Sequence, residues 1–133
     1  MSSPFSLDPV DVSSLLEVRC RSLDTAVVVT VMGELDMTSV SQLEHVLMSA
    51  MDEARPCRDL VVDLTGTSYV DSSGLGLLSA CHQRGTGEGV RLRVVAPARA
   101  VLRPIQLTGL DETLLLYADV FDAVDAGQEG SHR

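Results

Sequence analysis

The sequence is poor in aromatic and basic residues. It has no tryptophan, two phenylalanines and two tyrosines among 133 residues, and all ten of its basic residues are arginine. The 19 acidic residues outnumber them and give a formal net charge of -9. A nucleic-acid-binding protein is therefore not indicated. The chain has few aromatic rings to stack on bases, its net charge is negative, and its arginines are scattered along the sequence.

Long apolar runs and paired cysteines are missing as well. No stretch approaches the roughly 20 apolar residues that span a bilayer, and the amino terminus lacks the basic start and apolar stretch of a secretory signal. Cys20, Cys57 and Cys81 are widely separated and form no Cys-x-x-Cys pair, so neither a disulfide framework nor a zinc site is indicated. We expect a cytoplasmic protein without membrane or metal.

Apolar residues, in contrast, are plentiful at 45% of the chain, which is enough for one compact core. We predict a single domain over residues 15–126. A flexible leader is expected over 1–14, where Ser, Pro and Asp mix without periodicity, and a flexible tail over 127–133.

The period of the apolar residues predicts alternating strands and helices. Strands are expected at 15–20, 26–32, 60–64, 90–95 and 114–117, and helices at 39–54, about 72–84, 97–109 and 120–126. The first two strands form a hairpin, and the almost continuous apolar run at 60–64 is typical of a central strand. The prediction is an α/β fold with a mixed, mostly parallel sheet of about five strands and about four helices.

Local signals refine the ends of these elements. Ser39 and Gln42 fit a capping box at the start of the first helix. A turn is expected at 65–68, and the glycine-rich segment 85–89 is expected to end the second helix. Pro104 interrupts the third helix, so a kink or two short pieces are predicted there, since an interior proline costs about 3 kcal/mol.

A cluster of serines and glycines follows the predicted central strand. Asp71, Ser72 and Ser73 precede a helix, and Gly74 and Gly76 fall in its first turns. Inside a helix, each glycine lowers stability by about 0.5 to 1 kcal/mol relative to alanine. Two glycines there indicate a compensating role, such as packing of the helix on the sheet or close approach of a partner or a phosphate. On spacing alone, a serine that caps the helix explains the cluster.

A second polar segment, Gly-Glu-Leu-Asp at 33–36, lies between the second strand and the first long helix. By itself it could be a solvated acidic turn. Both polar segments follow strands and precede helices, however, and in a mostly parallel sheet such segments meet at the carboxyl edge of the strands. Asp36 and Ser72 are therefore expected to share one surface.

Four segments in this order resemble the STAS family of bacterial anti-sigma factor antagonists, and the resemblance covers about 15–126. They are Gly-Glu-Leu-Asp at 33–36, Val-Asp-Leu-Thr at 62–65, the run from Tyr to Gly at 69–76, and Leu-Thr-Gly-Leu at 107–110. The resemblance implies the STAS fold and partner switching. The unphosphorylated protein binds an anti-sigma factor that is also a serine kinase, which frees the sigma factor; phosphorylation ends binding, and a serine phosphatase restores it.

Carried over motif by motif, the resemblance implies that Ser72 is the phosphate acceptor, with Ser73 as the second candidate. It implies a regulatory protein rather than an enzyme, with no tightly bound cofactor. The partner-binding residues that it implies are Gly33, Glu34, Asp36, Asp71, Ser73, Gly74, Leu75 and Gly76.

Two alternatives stay open. A STAS module with this motif could act as a scaffold or ligand-responsive adaptor without a phosphorylation cycle. A serine hydrolase would need a Gly-x-Ser-x-Gly elbow, whereas Ser72 lies in Val-Asp-Ser-Ser-Gly. His82 on the same predicted helix would be about 15 Å away, too far to act as its base.

Overall fold

Five strands form one sheet in the order in which they occur along the chain. The computed structural model describes residues 16–55 and 58–131. The strands are β1 (Leu16–Ser22), β2 (Ala26–Leu35), β3 (Asp59–Val70), β4 (Leu92–Val95) and β5 (Leu115–Tyr117). β1 runs antiparallel to β2, and every later neighbour is parallel.

The described residues also form four helices, of which three connect parallel strands and the fourth follows β5. They are α1 (Val40–Ala54), α2 (Ser72–Glu88), α3 (Arg99–Leu107) and α4 (Val120–Ser131), with a short 3-10 turn at Leu110–Glu112. The predicted mixed, mostly parallel sheet of five strands with four helices is confirmed.

The helices cover the two faces of the sheet unequally. Helices α1, α2 and α3 pack on one face and form the larger apolar cluster, while Ala123 of α4 packs on the other. Neighbouring residues of a strand point to opposite faces, so Leu60 and Val62 belong to the larger cluster and Val61 to the smaller one. The prediction that this apolar run forms the central strand is confirmed.

The turn predicted at 65–68 is wrong, because β3 continues through it to Val70. Gly66 leaves room for the side chain of Met32, whose Cγ would lie 2.6 Å from an added Cβ. The Thr67 side chain is buried and donates a hydrogen bond to the Val31 carbonyl at 2.9 Å. Two register shifts against β2 absorb the irregularity, so polar residues that read as a turn belong to the strand.

Helix α2 is also longer than predicted. Gly85 and Gly87 lie inside the helix, so the end predicted at residue 84 is wrong, and the last glycine of the segment 85–89, Gly89, ends the helix in a left-handed conformation with φ 77°. A Cβ on Gly85 would approach the Val90 carbonyl oxygen to 2.5 Å. This glycine therefore seats the helix against the chain that follows.

Helix α3 is one continuous piece from Arg99 to Leu107 with Pro104 inside it, so the alternative of two short pieces is wrong. Val101 and Ile105 on its inner face are fully buried, and this burial offsets the hydrogen bond that the proline cannot donate. Pro97 lies just before the helix rather than in its first turn.

Helix α4 extends to Ser131, so the helix end predicted at Ala126 is wrong and the helix enters the segment predicted as a flexible tail. Gly127 lies inside the helix and packs against Asp59. An added Cβ would overlap the Asp59 carboxylate, so this position has no room for a side chain. The leader predicted over 1–14 lies outside the described residues. Within the described ranges, every helix is too short or too polar to cross a bilayer.

Candidate partner-binding site

The two polar segments meet where β2 and β3 end. Leu35 pairs with Val70 in the parallel register, and the Asp71 N–H donates to the Leu35 carbonyl at 3.1 Å. The Met37 N–H then donates to Asp71 Oδ2 at 3.2 Å and joins the two loops directly. The expectation that both segments lie at one carboxyl edge of the sheet is confirmed.

Asp71 is the cap of helix α2. Its Oδ1 accepts hydrogen bonds from the Ser73 N–H at 2.9 Å and the Gly74 N–H at 3.2 Å, which satisfies two amides that the first helical turn leaves open. The Ser73 hydroxyl adds a third hydrogen bond, and this bond is the largest cause of a pKa of Asp71 below its usual value. The interpretation of a serine as the cap is therefore wrong.

The two serines differ in what their hydroxyl groups do. The Ser73 hydroxyl is held by Asp71 Oδ1 at 2.6 Å, and its residue is half-buried. Ser72 is exposed at the first position of the helix, and its hydroxyl makes no hydrogen bond to any residue that the structure describes. Of the two, Ser72 presents the accessible nucleophile.

Helix α2 separates the predicted partner-binding residues into an inner and an outer set. A Cβ on Gly74 would lie 2.7 Å from Val70 Cγ2 and 2.8 Å from Leu35 Cγ, so this glycine lets the helix pack on its own sheet. Leu75 is only 6% exposed. Both are predicted to contact a partner, and both face the core in this structure.

The outer set has open space around it. Gly76 is exposed, and an added Cβ would find nothing within 4 Å. It lies one helical turn after Ser72 and therefore on the same face. These two residues form the outward face of the first turns of α2.

The loop at 36–39 is closed by its own hydrogen bonds. Asp36 Oδ1 accepts from the Thr38 hydroxyl at 2.7 Å and the Thr38 N–H at 3.0 Å, which holds the pKa of Asp36 below its usual value. The Ser39 hydroxyl accepts from the Asp36 N–H at 3.1 Å and donates to the Glu34 carbonyl at 2.8 Å. Ser39 makes no side-chain bond to α1, so the predicted capping box is wrong.

Gly33 sets the direction of this loop. It has φ 114°, a left-handed conformation that favours glycine, and it lies at a register shift between β2 and β3. The Ser68 hydroxyl donates to its carbonyl at 3.3 Å. Gly33 therefore shapes the backbone that leads to the exposed Glu34 and to Asp36.

Sequence reasoning missed two apolar residues at the site. Met37 is 76% exposed and lies in the loop joined to Asp71, and Tyr69 is 50% exposed and pairs with Glu34 across the strands. An apolar residue between a strand and a helix, outside either period, was the signal available for Met37. Exposed large apolar side chains beside a polar motif are typical of a protein-binding surface.

The site is negatively charged. Glu34, Asp36 and Asp71 contribute three carboxylates, and none of them takes part in an ion pair within the described ranges. We call the surface formed by Glu34, Asp36, Met37, Tyr69, Asp71, Ser72 and Gly76 the switch face.

The geometry around Ser72 differs from that of the serine hydrolase alternative. No group of three or more His, Cys, Asp or Glu side chains among them is suited to hold a metal ion. His82 lies on α2 together with Ser72, ten residues and therefore about 15 Å further along the helix. This distance argues against a serine hydrolase.

Comparison with known proteins agrees with this fold and site. The family model described as "Mlab, STAS domain" matches residues 18–117. The chain is 31% identical over 103 residues to the anti-sigma-F factor antagonist RsfB of Mycobacterium tuberculosis, covering 77% of this chain and 82% of that protein. The chain belongs to the STAS domain family.

Solved structures show the same architecture. An anti-sigma factor antagonist from Mycobacterium paratuberculosis superposes with a TM-score of 0.78 at 34% identity, covering 85% of this chain and 94% of that one. The Bacillus cell fate determinant SpoIIAA in its phosphorylated form superposes with a TM-score of 0.63 at 22% identity, covering 83% and 98%. At that identity the second likeness supports the fold alone.

Proposed function

We propose that this chain is an anti-sigma factor antagonist that works by partner switching. In its unphosphorylated form it binds an anti-sigma factor serine kinase through the switch face, and this releases the sigma factor. Phosphorylation of Ser72 ends the interaction, and a serine phosphatase restores it. The names of its relatives support the antagonist role, and the proposal implies a cytoplasmic protein, because transcription and ATP are found there.

The free Ser72 hydroxyl is the observation that carries this proposal. It is exposed and makes no hydrogen bond among the described residues, whereas the Ser73 hydroxyl is bound to Asp71. In the proposed step, Ser72 Oγ attacks the γ-phosphorus of ATP held by the kinase. The new O–P bond forms as the bond to the ADP oxygen breaks, and the serine proton is released.

The free protein can carry this phosphate without unfolding. A negative charge near the amino end of a helix gains about 0.3 to 1 kcal/mol from the helix dipole, and water solvates the rest. A docked partner removes that water. The phosphate then adds a charge near -2 beside Asp71, with Glu34 and Asp36 on the same face, and like charges in a desolvated interface oppose binding.

The switch face also predicts the chemistry of its partner. Its three carboxylates call for arginine or lysine side chains across the interface, and Met37 and Tyr69 call for an apolar pocket. The partner is therefore expected to offer a basic rim around an apolar centre.

The test compares Ser72→Ala with Ser73→Ala. Each variant is incubated with the kinase that unphosphorylated protein captures, together with ATP and Mg²⁺, and the intact mass is measured. We expect a mass gain of one phosphate for the native chain and for Ser73→Ala, and none for Ser72→Ala, which should still bind the kinase. Ser72→Asp should bind it more weakly.

Two results would contradict the proposal. A phosphate gained by Ser72→Ala but not by Ser73→Ala would make Ser73 the acceptor. No phosphate on the native chain, with binding intact, would favour the scaffold or ligand-responsive adaptor.

A further inference from the structure

A cavity of about 540 Å³ lies at the amino-terminal edge of the sheet, at the other end of α2 from Ser72. It is open to solvent and is lined by the starts of β3, β4 and β5, the last turns of α2 and Gly127 of α4. Its volume is within the range of about 300 to 1,000 Å³ that is typical of small-molecule sites. Its polar lining includes Arg58, Asp59, His82, Thr86, Arg91 and Thr113.

Arg58 lines this cavity, and its side chain forms no ion pair with any residue that the structure describes. Its guanidinium donates to the Ser22 hydroxyl at 2.6 Å and the Leu23 carbonyl at 2.9 Å, and also to the Glu53 carbonyl. All three acceptors are neutral oxygens. They hold the guanidinium in position but leave its charge uncompensated.

Arg91 brings a second charge to the same edge. Arg91 directly precedes β4, as Arg58 directly precedes β3, and these two strands are parallel neighbours. The Arg91 carbonyl accepts a hydrogen bond from the Leu60 N–H at 2.9 Å, which joins the two strand starts. The Arg91 side chain is exposed and makes no hydrogen bond or ion pair to the described residues. Asp59, the carboxylate of the lining, is already paired with Arg93 at 3.0 Å.

We propose that this cavity binds a small phosphorylated molecule, with its phosphate between Arg58 and Arg91. A guanidinium presents paired N–H donors that match phosphate oxygens, and two arginines without a carboxylate partner among the described residues line this cavity in a chain whose net charge is -9. The same net charge disfavours a nucleic-acid backbone. The volume exceeds what bare phosphate needs, and the Thr86 and Thr113 hydroxyls supply hydrogen-bonding groups for the remainder of an ester.

The test titrates the isotope-labelled full chain with ribose 5-phosphate, inorganic phosphate and unphosphorylated ribose, and follows backbone amide signals by NMR. We expect saturable shifts at Gly85, Gly89 and Thr113 and no shift at Gly76, at the far end of α2. Ribose 5-phosphate should saturate at a lower concentration than inorganic phosphate, and ribose should not bind. The melting temperature should rise with ribose 5-phosphate.

Arg91→Gln and Arg103→Gln form a matched pair of variants. Both remove one charge from an exposed arginine, but only Arg91 lines the cavity. Arg91→Gln should weaken binding of ribose 5-phosphate about tenfold or more, since a charge-assisted hydrogen bond is lost, while Arg103→Gln should bind as the native chain does.

Several outcomes would overturn this proposal. They are the absence of saturable shifts with either phosphate, equal binding of ribose, an equal loss in both variants, or shifts centred on the switch face. The melting temperatures of the unliganded variants check that each has folded, and Arg91→Gln should melt as the native chain does because its side chain makes no bond.

Discussion

The two ends of helix α2 carry opposite chemistry. At its amino end, the switch face combines three carboxylates with the exposed side chains of Met37 and Tyr69. At its carboxyl end, about 25 Å away, Arg58 and Arg91 line a cavity and form no ion pair with the described residues. Glycine seats the helix at both ends, with Gly74 against the sheet and Gly85 against the chain that follows.

This difference separates two uses of polar residues. The broad, open amino end suits a protein partner, whereas the concave carboxyl end suits a small molecule. Gly74 is buried beneath the switch face, whereas Gly85 is buried in the helix and also lines the cavity. Substitutions at each end should therefore separate stability from binding.

The largest expected effect is on stability, at the arginine-lined end. Asp59→Ala leaves the Arg93 side chain, which is 4% exposed, without its carboxylate. We expect a loss of about 3 kcal/mol in the free energy of unfolding, near the lower end for breaking a buried pair, because the Asp59 side chain is 20% exposed. Urea unfolding measures it.

The exposed pair Arg19–Glu17 provides the control, with side chains 73% and 52% exposed. Glu17→Ala should cost less than about 1 kcal/mol. If both variants lost the same free energy of unfolding, the buried pair Asp59–Arg93 would stabilise the protein no more than the exposed pair does.

The next effect tests the seating of the helix at the switch face. Gly74→Ala forces a Cβ to within 2.9 Å of Val70 and Leu35 atoms. Overpacking costs about 1 to 3 kcal/mol and alanine regains up to about 1 kcal/mol of helix propensity. A net loss of about 1 to 2 kcal/mol in the free energy of unfolding is therefore expected in chemical unfolding.

Gly76→Ala is the control, because open space surrounds this glycine. The free energy of unfolding should rise by about 0.5 to 1 kcal/mol, and a decrease would contradict the division into inner and outer sets.

Binding gives the third effect. Met37→Ala should weaken binding to the anti-sigma factor kinase about tenfold, as truncation of an interface anchor does, and leave the stability within about 0.5 kcal/mol. Phe121→Ala removes a side chain that is 84% exposed on α4, which packs on the opposite face of the sheet from α2, and should leave affinity unchanged. Calorimetric titration with the kinase decides; equal affinities for both variants would remove Met37 from the interface.

The smallest effect is the pH dependence of the cap. The hydrogen bonds from Ser73, Gly74 and Met37 lower the pKa of Asp71 in the folded state. The stabilisation is therefore fully present above the unfolded value of about 3.9 and is lost as the pH falls through the lower folded value. The stability gap between the native chain and Asp71→Asn should narrow from pH about 5 downwards, as unfolding curves at each pH would reveal; a constant gap would exclude this linkage.

Much of the fold was predictable because its signals are local. The apolar run from Leu60 identified the central strand, and alternation of strand and helix periods identified the sheet. Three of the errors share one cause, because glycines were interpreted as the ends of elements. Gly66, Gly85 and Gly127 instead lie inside elements where another chain segment approaches too closely for a side chain.

The candidate site was predictable in its position but not in its details. Asp36 and Asp71 were expected at one sheet edge, and they are there. Leu75 was expected among the partner-binding residues, and its burial in the core was not predicted. Met37 and Tyr69 were missed because an exposed apolar side chain resembles a core residue in the sequence.

The sequence by itself determined the order of the elements, the central strand and the meeting of two polar segments at one edge, because periodicity and parallel connection require only local information. Only the tertiary structure decided that Asp71 caps the helix, that Ser72 keeps a free hydroxyl, and that Arg58 and Arg91 line one cavity. These outcomes depend on contacts such as that between Met37 and Asp71, 34 positions apart. Such contacts form only when the packed sheet brings distant segments together.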